Sequence, residues 1–231
     1  MAIELELPGA QVRFTARDGG VSTGPYASLN LGLLTDDDPD AVAENRRRIA
    51  EDVAQASLAW GRQVHGVDVV TVDGPTAPAD VADADGVATA SHGVAALVLT
   101  ADCLPVALAT TKAIAMVHAG WSGLAGGVLQ AGVDAVRQLD PGGEIHAAIG
   151  PGAGVCCYEV GGEVAARFSD EPRRGDRTLD LKGIAARRLT GAGVVHVHDV
   201  GRCTMCEPDV FFSHRASGGV TGRQGGLVWR S

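Results

Sequence analysis

The sequence predicts an α/β or mixed α+β layered domain, and two features of its hydrophobic pattern carry that prediction. Segments with helical periodicity alternate with short apolar runs, and three such runs follow one another mid-chain, at residues 94–99, 105–108 and 113–117. Apolar runs of this length between turn signals are typical of buried strands. Buried strands flanked by amphipathic helices predict sheets with helices packed against them.

Two strands and one helix are predicted before these central strands. An alternating run at residues 12–16 predicts the first strand, which a glycine-rich turn closes. Asp38 and Pro39 predict a helix start, as N-cap and first helical residue, and apolar residues at helical spacing continue the helix to about residue 53. A β-branched run at residues 67–72 predicts the second strand.

Two helices and two strands are predicted after the central strands. Apolar positions across residues 124–135 predict one amphipathic helix, and residues 145–149 predict a strand. Asp180 is placed as the N-cap of the next helix, and residues 194–200 predict the last strand. With no internal repeat and no long linker, we expect one domain over residues 1–231.

Composition and charge exclude several classes of protein. The chain has 231 residues, of which 45% are hydrophobic and 20% charged, so wholesale disorder is excluded. Its net charge of −9 argues against a nucleic-acid or anionic-membrane partner. The most apolar stretch, residues 94–109, contains Asp102 and is shorter than the ~18–20 residues of a membrane span. The start lacks the basic and apolar regions of a signal peptide, and five cysteines cannot all pair, so we expect a cytoplasmic protein with reduced thiols.

Three segments each place one imidazole or thiol at the end of a predicted strand: His65, Cys103 and His118. Two histidines and one cysteine suit Zn²⁺ with an open fourth position. Cys103 lies 38 residues after His65 and 15 before His118, which is no short-range zinc signature. Two alternatives therefore stay open. One is a buried cysteine with two hydrogen-bonded histidines, and the other is a cysteine nucleophile with a histidine base that Asp102 or the second histidine orients.

Other motifs give weaker signals. His196 and His198 form a His-x-His pair, but one pair among seven histidines does not supply a multicopper centre, so we predict two half-exposed strand residues. Cys203 and Cys206 have the spacing of a metal or redox motif, and Cys156-Cys157 are adjacent. Because adjacent cysteines rarely both reach one tetrahedral metal, we interpret all four as structural thiols. The glycine-rich segments match no nucleotide-binding fingerprint, although residues 120–123 precede a predicted helix that suits an anion.

Taken together, the chain resembles the YfiH-type family, also called laccase-domain or multicopper polyphenol oxidase proteins and peptidoglycan editing factors. The resemblance covers nearly the whole sequence. The matching segments are TARDGGVS (15–22), SLNLG (28–32), DP (38–39), ENR (44–46), QVHG (63–66), DG (85–86), TADCLP (100–105), HAGW (118–121), IGP (149–151), YEVG (158–161), DL (180–181), CT (203–204), FFSHR (211–215) and TGRQ (221–224).

The resemblance implies a single layered α/β/β/α sandwich, related in architecture to Cys-His deamidating toxins. It implies that His65, Cys103 and His118 are the catalytic, metal-binding residues, with zinc as the cofactor and copper as the alternative. The implied activities are phosphorolysis of adenosine, inosine, guanosine and methylthioadenosine, and adenosine deamination. The partners are then a purine nucleoside and phosphate, and we expect a monomer or homodimer.

Three other functions remain open at this point. The first is a Cys103–His118 amidase or hydrolase that edits a peptidoglycan precursor without a metal. The second is a copper-dependent, laccase-like polyphenol oxidase. The third is a metal-binding module without catalysis.

Five further residues are candidates for substrate binding. Asn30 and Gln63 are expected to hydrogen-bond the purine or ribose, and Arg62 lies in the same matched motif as Gln63. Asp102 and Glu159 are candidate general acids or bases, or groups that orient a metal ligand.

One departure from the family concerns charge. Ser122 stands where the family usually has arginine, and serine cannot bind phosphate bidentately as a guanidinium does. We therefore expect another cation to take that role, with Arg17, Arg62 and Arg215 as candidates. The family also commonly has different residues at Gly152 and Ala153.

Overall fold

The structure is a computed structural model that describes residues 2–53, 57–77, 81–171 and 177–231. The strands are β1 (Ile3–Leu7), β2 (Ala10–Phe14), β3 (Ser57–Ala59), β4 (Val69–Thr71), β5 (Gly86–Thr89), β6 (Val94–Thr100), β7 (Leu104–Ala109), β8 (Ile114–Ala119), β9 (His146–Ile149), β10 (His196–Asp199) and β11 (Gln224–Arg230). The helices are α1 (Pro39–Asp52), α2 (Trp121–Gly126), α3 (Val128–Leu139), α4 (Gly162–Ala166) and α5 (Leu181–Gly191), with a 3₁₀ turn at Gly24–Tyr26.

The strands form two mixed sheets. The first has the order β1-β2-β11-β6-β3, in which only β3 runs parallel to its neighbour. The second has the order β10-β9-β7-β8-β5-β4, with parallel pairs at both edges and antiparallel strands between them. Chain-neighbouring β6 and β7 therefore belong to different sheets, and the turn between them crosses from one sheet to the other.

Alternating side chains along the central strands show how the layers stack. On β7, Val106 and Leu108 pack with residues of α3 and α5, whereas Ala107 and Ala109 pack between the two sheets. On β6, Leu97 joins a cluster with α1 on the outer face of the first sheet. Successive strand residues point to opposite faces of a sheet. One face of each sheet therefore packs against helices, and the other face packs against the second sheet. The layers are α/β/β/α, as the family resemblance implied.

The predicted helix starts are confirmed. The Asp38 side chain accepts the N–H of Asp40, with Pro39 in the first turn, and the Asp180 side chain accepts the N–H of Gly183. Such a side-chain bond satisfies one of the four N–H groups that a helix start leaves unpaired, typically worth about 1 kcal/mol.

Several boundaries differ from the prediction. The single helix predicted across residues 124–135 is two helices, because Gly127 takes a left-handed φ of 101° between α2 and α3. Strands β9 and β10 are also shorter than the runs predicted at residues 145–149 and 194–200. Strands β1, β3, β5 and β11 and the short helix α4 were not predicted, and β11 lies in the middle of the first sheet. In the described residues, no helix has the length and apolar character needed to span a bilayer.

Candidate metal centre

A buried carboxylate holds the loop that carries the first predicted ligand. Asp85 has no exposed surface and directly precedes β5. Its Oδ1 accepts the N–H of His65 at 3.0 Å, and its Oδ2 accepts the N–H groups of Val64 and Gly66 at 3.0 and 2.7 Å. These bonds support His65 at a positive φ of 58°, a conformation uncommon for residues other than glycine.

The same carboxylate orients the second histidine. His118 lies on β8, where its backbone N–H donates to the carbonyl of Asp85 at 2.7 Å. Its ring Nδ1 is 2.7 Å from Asp85 Oδ1. Burial raises the pKa of Asp85, but His118 and the backbone N–H groups outweigh burial and lower it, so the carboxylate is ionised. Nδ1 therefore donates to Asp85, which leaves Nε2 as the atom that could bind a metal.

The turn between β6 and β7 presents Cys103. The preceding residue, Asp102, has φ 88° and is largely buried. Its Oδ1 accepts a hydrogen bond from the hydroxyl of Thr204, and its Oδ2 accepts the backbone N–H of Arg215, each at 2.7 Å. Asp102 thus ties the turn to two later loops, which fixes the position of the neighbouring thiol.

The three side chains converge. Cys103 Sγ lies 3.9 Å from His65 Nε2, and the two imidazole rings meet edge to face with centroids 4.8 Å apart. Sγ and the two ring nitrogens all lie within 4.8 Å of one another. One thiolate and two imidazoles at these separations fit a single metal ion of the zinc class, with a position open for a further ligand.

A glycine makes room for this arrangement. A Cβ on Gly120 would lie 2.9 Å from His65 Cδ2 and 3.0 Å from Cys103 Sγ, closer than packed carbon and sulfur atoms tolerate. The HAGW motif therefore supplies both a ligand and the space beside it.

The electrostatics of the metal-free trio favour a thiolate. Burial raises the pKa of Cys103, but His118 and then His65 outweigh burial and lower the pKa to about 6. Burial lowers the pKa of His118, but Cys103 and Asp85 outweigh burial and raise the pKa to about 9. The metal-free site is therefore a Cys103 thiolate beside a His118 imidazolium, and a metal bound at His118 would take the place of one imidazolium proton.

A cavity of about 540 Å³ opens onto the trio. Its apolar wall includes Leu33, Leu34, Trp60 and Leu99, and His65, Cys103 and His118 line the same space. Pockets of about 300–1,000 Å³ with apolar walls and a few polar groups are typical of small-molecule sites. Leu34 is 86% exposed, so this wall includes an apolar edge facing solvent.

Arg223 brings a positive charge to the cavity. Its backbone N–H donates to Asn30 Oδ1 at 2.8 Å, and its Nη1 donates to the carbonyls of Thr221 and Gly222. Burial lowers the pKa of Arg223, whereas the negative charges of Cys103 and Asp102 act in the opposite direction. Since an arginine remains protonated under such shifts, Arg223 is a cation in this pocket.

Two of the five predicted substrate-binding residues, Arg62 and Gln63, line the cavity. However, Arg62 pairs with Asp83, and the Gln63 amide exchanges two 2.7 Å hydrogen bonds with the backbone of Leu99. Gln63 therefore ties its loop to β6.

The other three candidates lie outside the lining of the cavity. Asn30 is buried, and its amide bonds Thr35, Asp37 and the backbone of Gly32 and Arg223. Asp102 bonds Thr204 and Arg215, as described above. The Glu159 side chain is 62% exposed and lies 3.9 Å from Arg177. Asn30 and Asp102 thus hold the loops beside the cavity, and direct substrate contacts for all three stay predictions.

The cation candidates separate in the same way. Of the three predicted candidates, Arg62 lines the cavity and Arg17 and Arg215 do not, whereas Arg223, which was not predicted, does. Arg17 donates to the carbonyls of Ala27 and Pro208, and Arg215 donates to the carbonyl of Glu159. Ser122 is the second residue of α2 and is also outside the lining.

Two residues of the site were not predicted from the sequence. Asp85 lies in a run of alternating alanine and aspartate that indicates a turn, and only the fold brings it under two histidines. Arg223 lies 105 residues after His118. Its place in the matched TGRQ segment was the only signal that could have identified it.

Comparisons with known proteins identify the family of the chain. The profile of a family described as multi-copper polyphenol oxidoreductase laccase matches residues 11–231. A Pseudomonas aeruginosa protein named purine nucleoside phosphorylase is 42% identical over 228 residues, 93% of this chain and 91% of that protein. Purine nucleoside phosphorylase YfiH of Escherichia coli is 38% identical over 227 residues, with the same coverage.

Solved structures share the fold. A Neisseria meningitidis protein superposes with a TM-score of 0.90 at 36% identity, covering 100% of this chain and 99% of its own. YlmD from Geobacillus stearothermophilus gives 0.87 at 35% identity, covering 96% and 92%.

Fold and site together define a layered α/β protein with a Cys/His₂ centre at the edge of a small-molecule cavity. The chain belongs to the multi-copper polyphenol oxidoreductase laccase family, whose relatives include the YfiH-type purine nucleoside phosphorylases. The resemblance seen in the sequence is confirmed.

Proposed function

We propose that this protein is a zinc-dependent purine nucleoside phosphorylase. The observation that carries the proposal is the convergence of His65, Cys103 and His118 on a cavity of nucleoside size, with Asp85 beneath both histidines. Relatives 37–42% identical over more than nine-tenths of the chain carry the same name and support this assignment.

The cavity supplies complementary surfaces for the two substrates. The indole of Trp60 and the side chains of Leu33 and Leu34 offer apolar contact for a purine base. The Arg223 guanidinium offers donors for phosphate oxygens. We propose Arg223 as the cation that replaces the arginine missing at Ser122, with Arg62 as a weaker candidate because Asp83 already pairs with it.

Each residue of the centre has a defined task in phosphorolysis, in which a phosphate oxygen bonds to ribose C1′ as the bond to the purine nitrogen breaks. His65, Cys103 and His118 would hold the zinc. When bound, zinc supplies Lewis-acid chemistry, since it offsets the charge of an anionic substrate or lowers the pKa of water. Asp85 keeps the His118 Nδ1 proton in place, so that Nε2 stays turned to the ion. Arg223 positions the phosphate and offsets its remaining charge.

Adenosine deamination is a second activity of the same centre under this proposal. The three donors leave one side open toward the cavity, where water takes the place of phosphate. Oxygen from water would replace the amine at purine C6 and release ammonia. The two reactions give different products, inosine in one case and adenine with ribose 1-phosphate in the other.

A metal-free amidase acting on a peptidoglycan precursor is the main alternative. In this alternative, Cys103 would be the nucleophile, His118 the base, and Asp85 the carboxylate that orients the base. The lowered pKa of Cys103 favours this chemistry in the metal-free protein. Both functions use one thiol, so the metal requirement of the active protein separates them.

The observations favour a polyphenol oxidase less. A multicopper centre needs several histidine clusters, and the exposed pair His196 and His198 on β10 joins no group of three potential ligands within the described residues. Copper in place of zinc at the His65–Cys103–His118 centre remains the alternative metal.

Product chromatography tests the proposal. Zinc-loaded protein is incubated separately with inosine and adenosine, with and without phosphate. Phosphorolysis predicts phosphate-dependent hypoxanthine and adenine, each with equimolar ribose 1-phosphate, and deamination predicts phosphate-independent inosine from adenosine. Conversion of neither nucleoside would contradict the proposal and favour the amidase.

A matched pair of histidine variants assigns any activity to this centre. His65 and His92 are both exposed, but only His65 lines the cavity. We expect His65→Gln to lose activity and the metal of this centre, and His92→Gln to keep both.

A further inference from the structure

Four cysteines form a second cluster that shares no residue with the centre described above. Cys156 and Cys157 lie in the turn after β9, and Cys203 and Cys206 lie in the loop after β10. Strands β9 and β10 are parallel neighbours, so their carboxyl ends meet at one edge of the second sheet. The topology thereby brings together two cysteine pairs that are far apart in the sequence.

The four sulfur atoms are within ligand distance of one another. Cys206 Sγ lies 3.3 Å from Cys156 Sγ and 3.1 Å from Cys157 Sγ, and all four Sγ atoms lie within 4.8 Å of each other. Both members of the adjacent pair reach the cluster, contrary to what their spacing indicated. The backbone N–H of Gly154 also donates to Cys203 Sγ at 3.2 Å.

Burial argues against ordinary core packing of these thiols. A free cysteine usually behaves as a small hydrophobic residue and is buried. Here Cys156 and Cys206 are exposed, and Cys157 and Cys203 are only partly buried. Burial of apolar surface therefore does not explain why the four sulfur atoms lie together.

The dimensions and the donor chemistry indicate one tetrahedral metal ion. A Zn–S bond of about 2.3 Å puts the sulfur atoms of a tetrahedral site about 3.8 Å apart. The separations of 3.1 and 3.3 Å from Cys206 Sγ are shorter than that value, and the other sulfur atoms lie within 4.8 Å of one another, so a small adjustment of the side chains would accommodate the ion. Four thiolates are the ligand set of structural zinc sites, in which all four positions are filled by protein.

We propose that Cys156, Cys157, Cys203 and Cys206 bind one structural zinc ion that joins the ends of β9 and β10. Binding releases four thiol protons and leaves a site with a charge of −2, which the N–H of Gly154 partly offsets. The ion has no open position and takes no part in turnover.

The position of this site gives it a structural task. Thr204 lies between the two ligands of its loop, its N–H donates to the carbonyl of Gly152, and its hydroxyl donates to Asp102. Asp102 directly precedes Cys103. A metal that holds this loop in place therefore also supports the turn that presents the thiol of the first centre.

Metal analysis in a Cys103→Ser background tests the proposal independently of the first centre. Full-length Cys103→Ser protein, purified under reducing conditions, is compared with the Cys103→Ser/Cys203→Ser/Cys206→Ser protein by inductively coupled plasma mass spectrometry. We expect the second protein to contain about one zinc fewer per chain. After exchange into cobalt, the first protein should show intense sulfur-to-cobalt charge-transfer absorption that the second lacks. Equal zinc content in the two proteins, or iron in place of zinc, would overturn the proposal.

A second measurement on the wild-type chain does not depend on whether the variants fold. The four cysteines are alkylated before and after a chelator removes bound metal, and each peptide is quantified by mass spectrometry. We expect the four to be protected together and to become reactive together as zinc is released. Full reactivity before release, or a disulfide between two of them in the reduced preparation, would contradict a zinc site.

Discussion

Asp85 and His118 form a buried pair in which the carboxylate Oδ1 lies 2.7 Å from the imidazole Nδ1. The same oxygen accepts the N–H of His65. One side chain thus sets the ring orientation of His118 and the backbone position of His65, both of which are proposed metal ligands. Groups that hydrogen-bond to metal ligands commonly affect metal affinity strongly, because they orient the ligands.

Asp85→Asn should therefore weaken metal binding while all three ligands remain. An amide keeps the shape of the carboxylate but directs its N–H₂ at groups that themselves donate, so at least one bond is lost. We expect zinc affinity to fall about 10- to 100-fold and the free energy of unfolding of the metal-free protein to fall by about 1–3 kcal/mol. A competition titration with a zinc chelator and urea denaturation measure the two effects.

Asp83→Asn is the matched control for that change. Asp83 is two residues away, and its partly exposed carboxylate pairs with Arg62. We expect its zinc affinity to stay within about twofold of wild type because an exposed ion pair contributes little. Equal effects at the two positions would contradict the role assigned to Asp85.

Gly120→Ala should displace His65 and Cys103. The added methyl group would lie 2.9 Å from His65 Cδ2 and 3.0 Å from Cys103 Sγ, so at least one of the two ligands must move. We expect loss of stoichiometric zinc at this centre with a fold that circular dichroism shows to be intact. Gly142→Ala is the control, because a Cβ there meets no atom within 4 Å. Full zinc retention in Gly120→Ala would show that the centre is less closely packed than described.

Arg223→Gln should raise the KM for phosphate more than the KM for the nucleoside. Loss of a charge-assisted hydrogen bond of about 1.5–3 kcal/mol predicts a rise in the KM for phosphate of about 10- to 100-fold, with a smaller change for inosine. Initial rates over a grid of both substrates measure the two constants. Arg47→Gln, on the exposed face of α1, serves as the charge control. A larger effect on inosine than on phosphate would contradict the role of Arg223.

The thiolate character of Cys103 predicts the pH dependence of its alkylation. With a pKa of about 6, lowered mainly by His118 against the opposing effect of burial, Cys103 in chelator-treated protein is about nine-tenths ionised at pH 7. Its alkylation rate should stay high down to neutral pH and fall by half near pH 6, because only the thiolate reacts. Peptide-resolved mass spectrometry follows Cys103 separately from the other four cysteines. A midpoint near pH 9 would show that the imidazoles do not stabilise the thiolate.

Sequence patterns predicted the centre of the fold well because burial there is uniform. Strands β6, β7 and β8 are apolar along almost their full length, which two-sided packing requires. The prediction was wrong at Gly127, where a left-handed residue interrupts an otherwise continuous helical pattern. Strand β11 was not predicted because its two glycines weaken the strand pattern, although the strand pairs with β2 on one side and β6 on the other.

The three residues that converge at the centre were predicted together, but the residues that support them were not. His65, Cys103 and His118 were selected because each follows or ends an apolar run beside small residues. Asp85 gave no such signal, since its role depends on a backbone conformation around His65 that sequence spacing does not specify. The four-cysteine cluster was missed because its two halves are brought together by the pairing of β9 with β10.

The most direct test of the central claim is a zinc titration of phosphorolytic activity. Metal is removed from the wild-type protein with a chelator, and phosphate-dependent release of hypoxanthine from inosine is measured as zinc is returned. We expect negligible turnover without metal, recovery that saturates once the His65–Cys103–His118 centre is filled, and no recovery in Cys103→Ala. Full activity in the chelated protein, or zinc-dependent turnover in Cys103→Ala, would contradict the central claim.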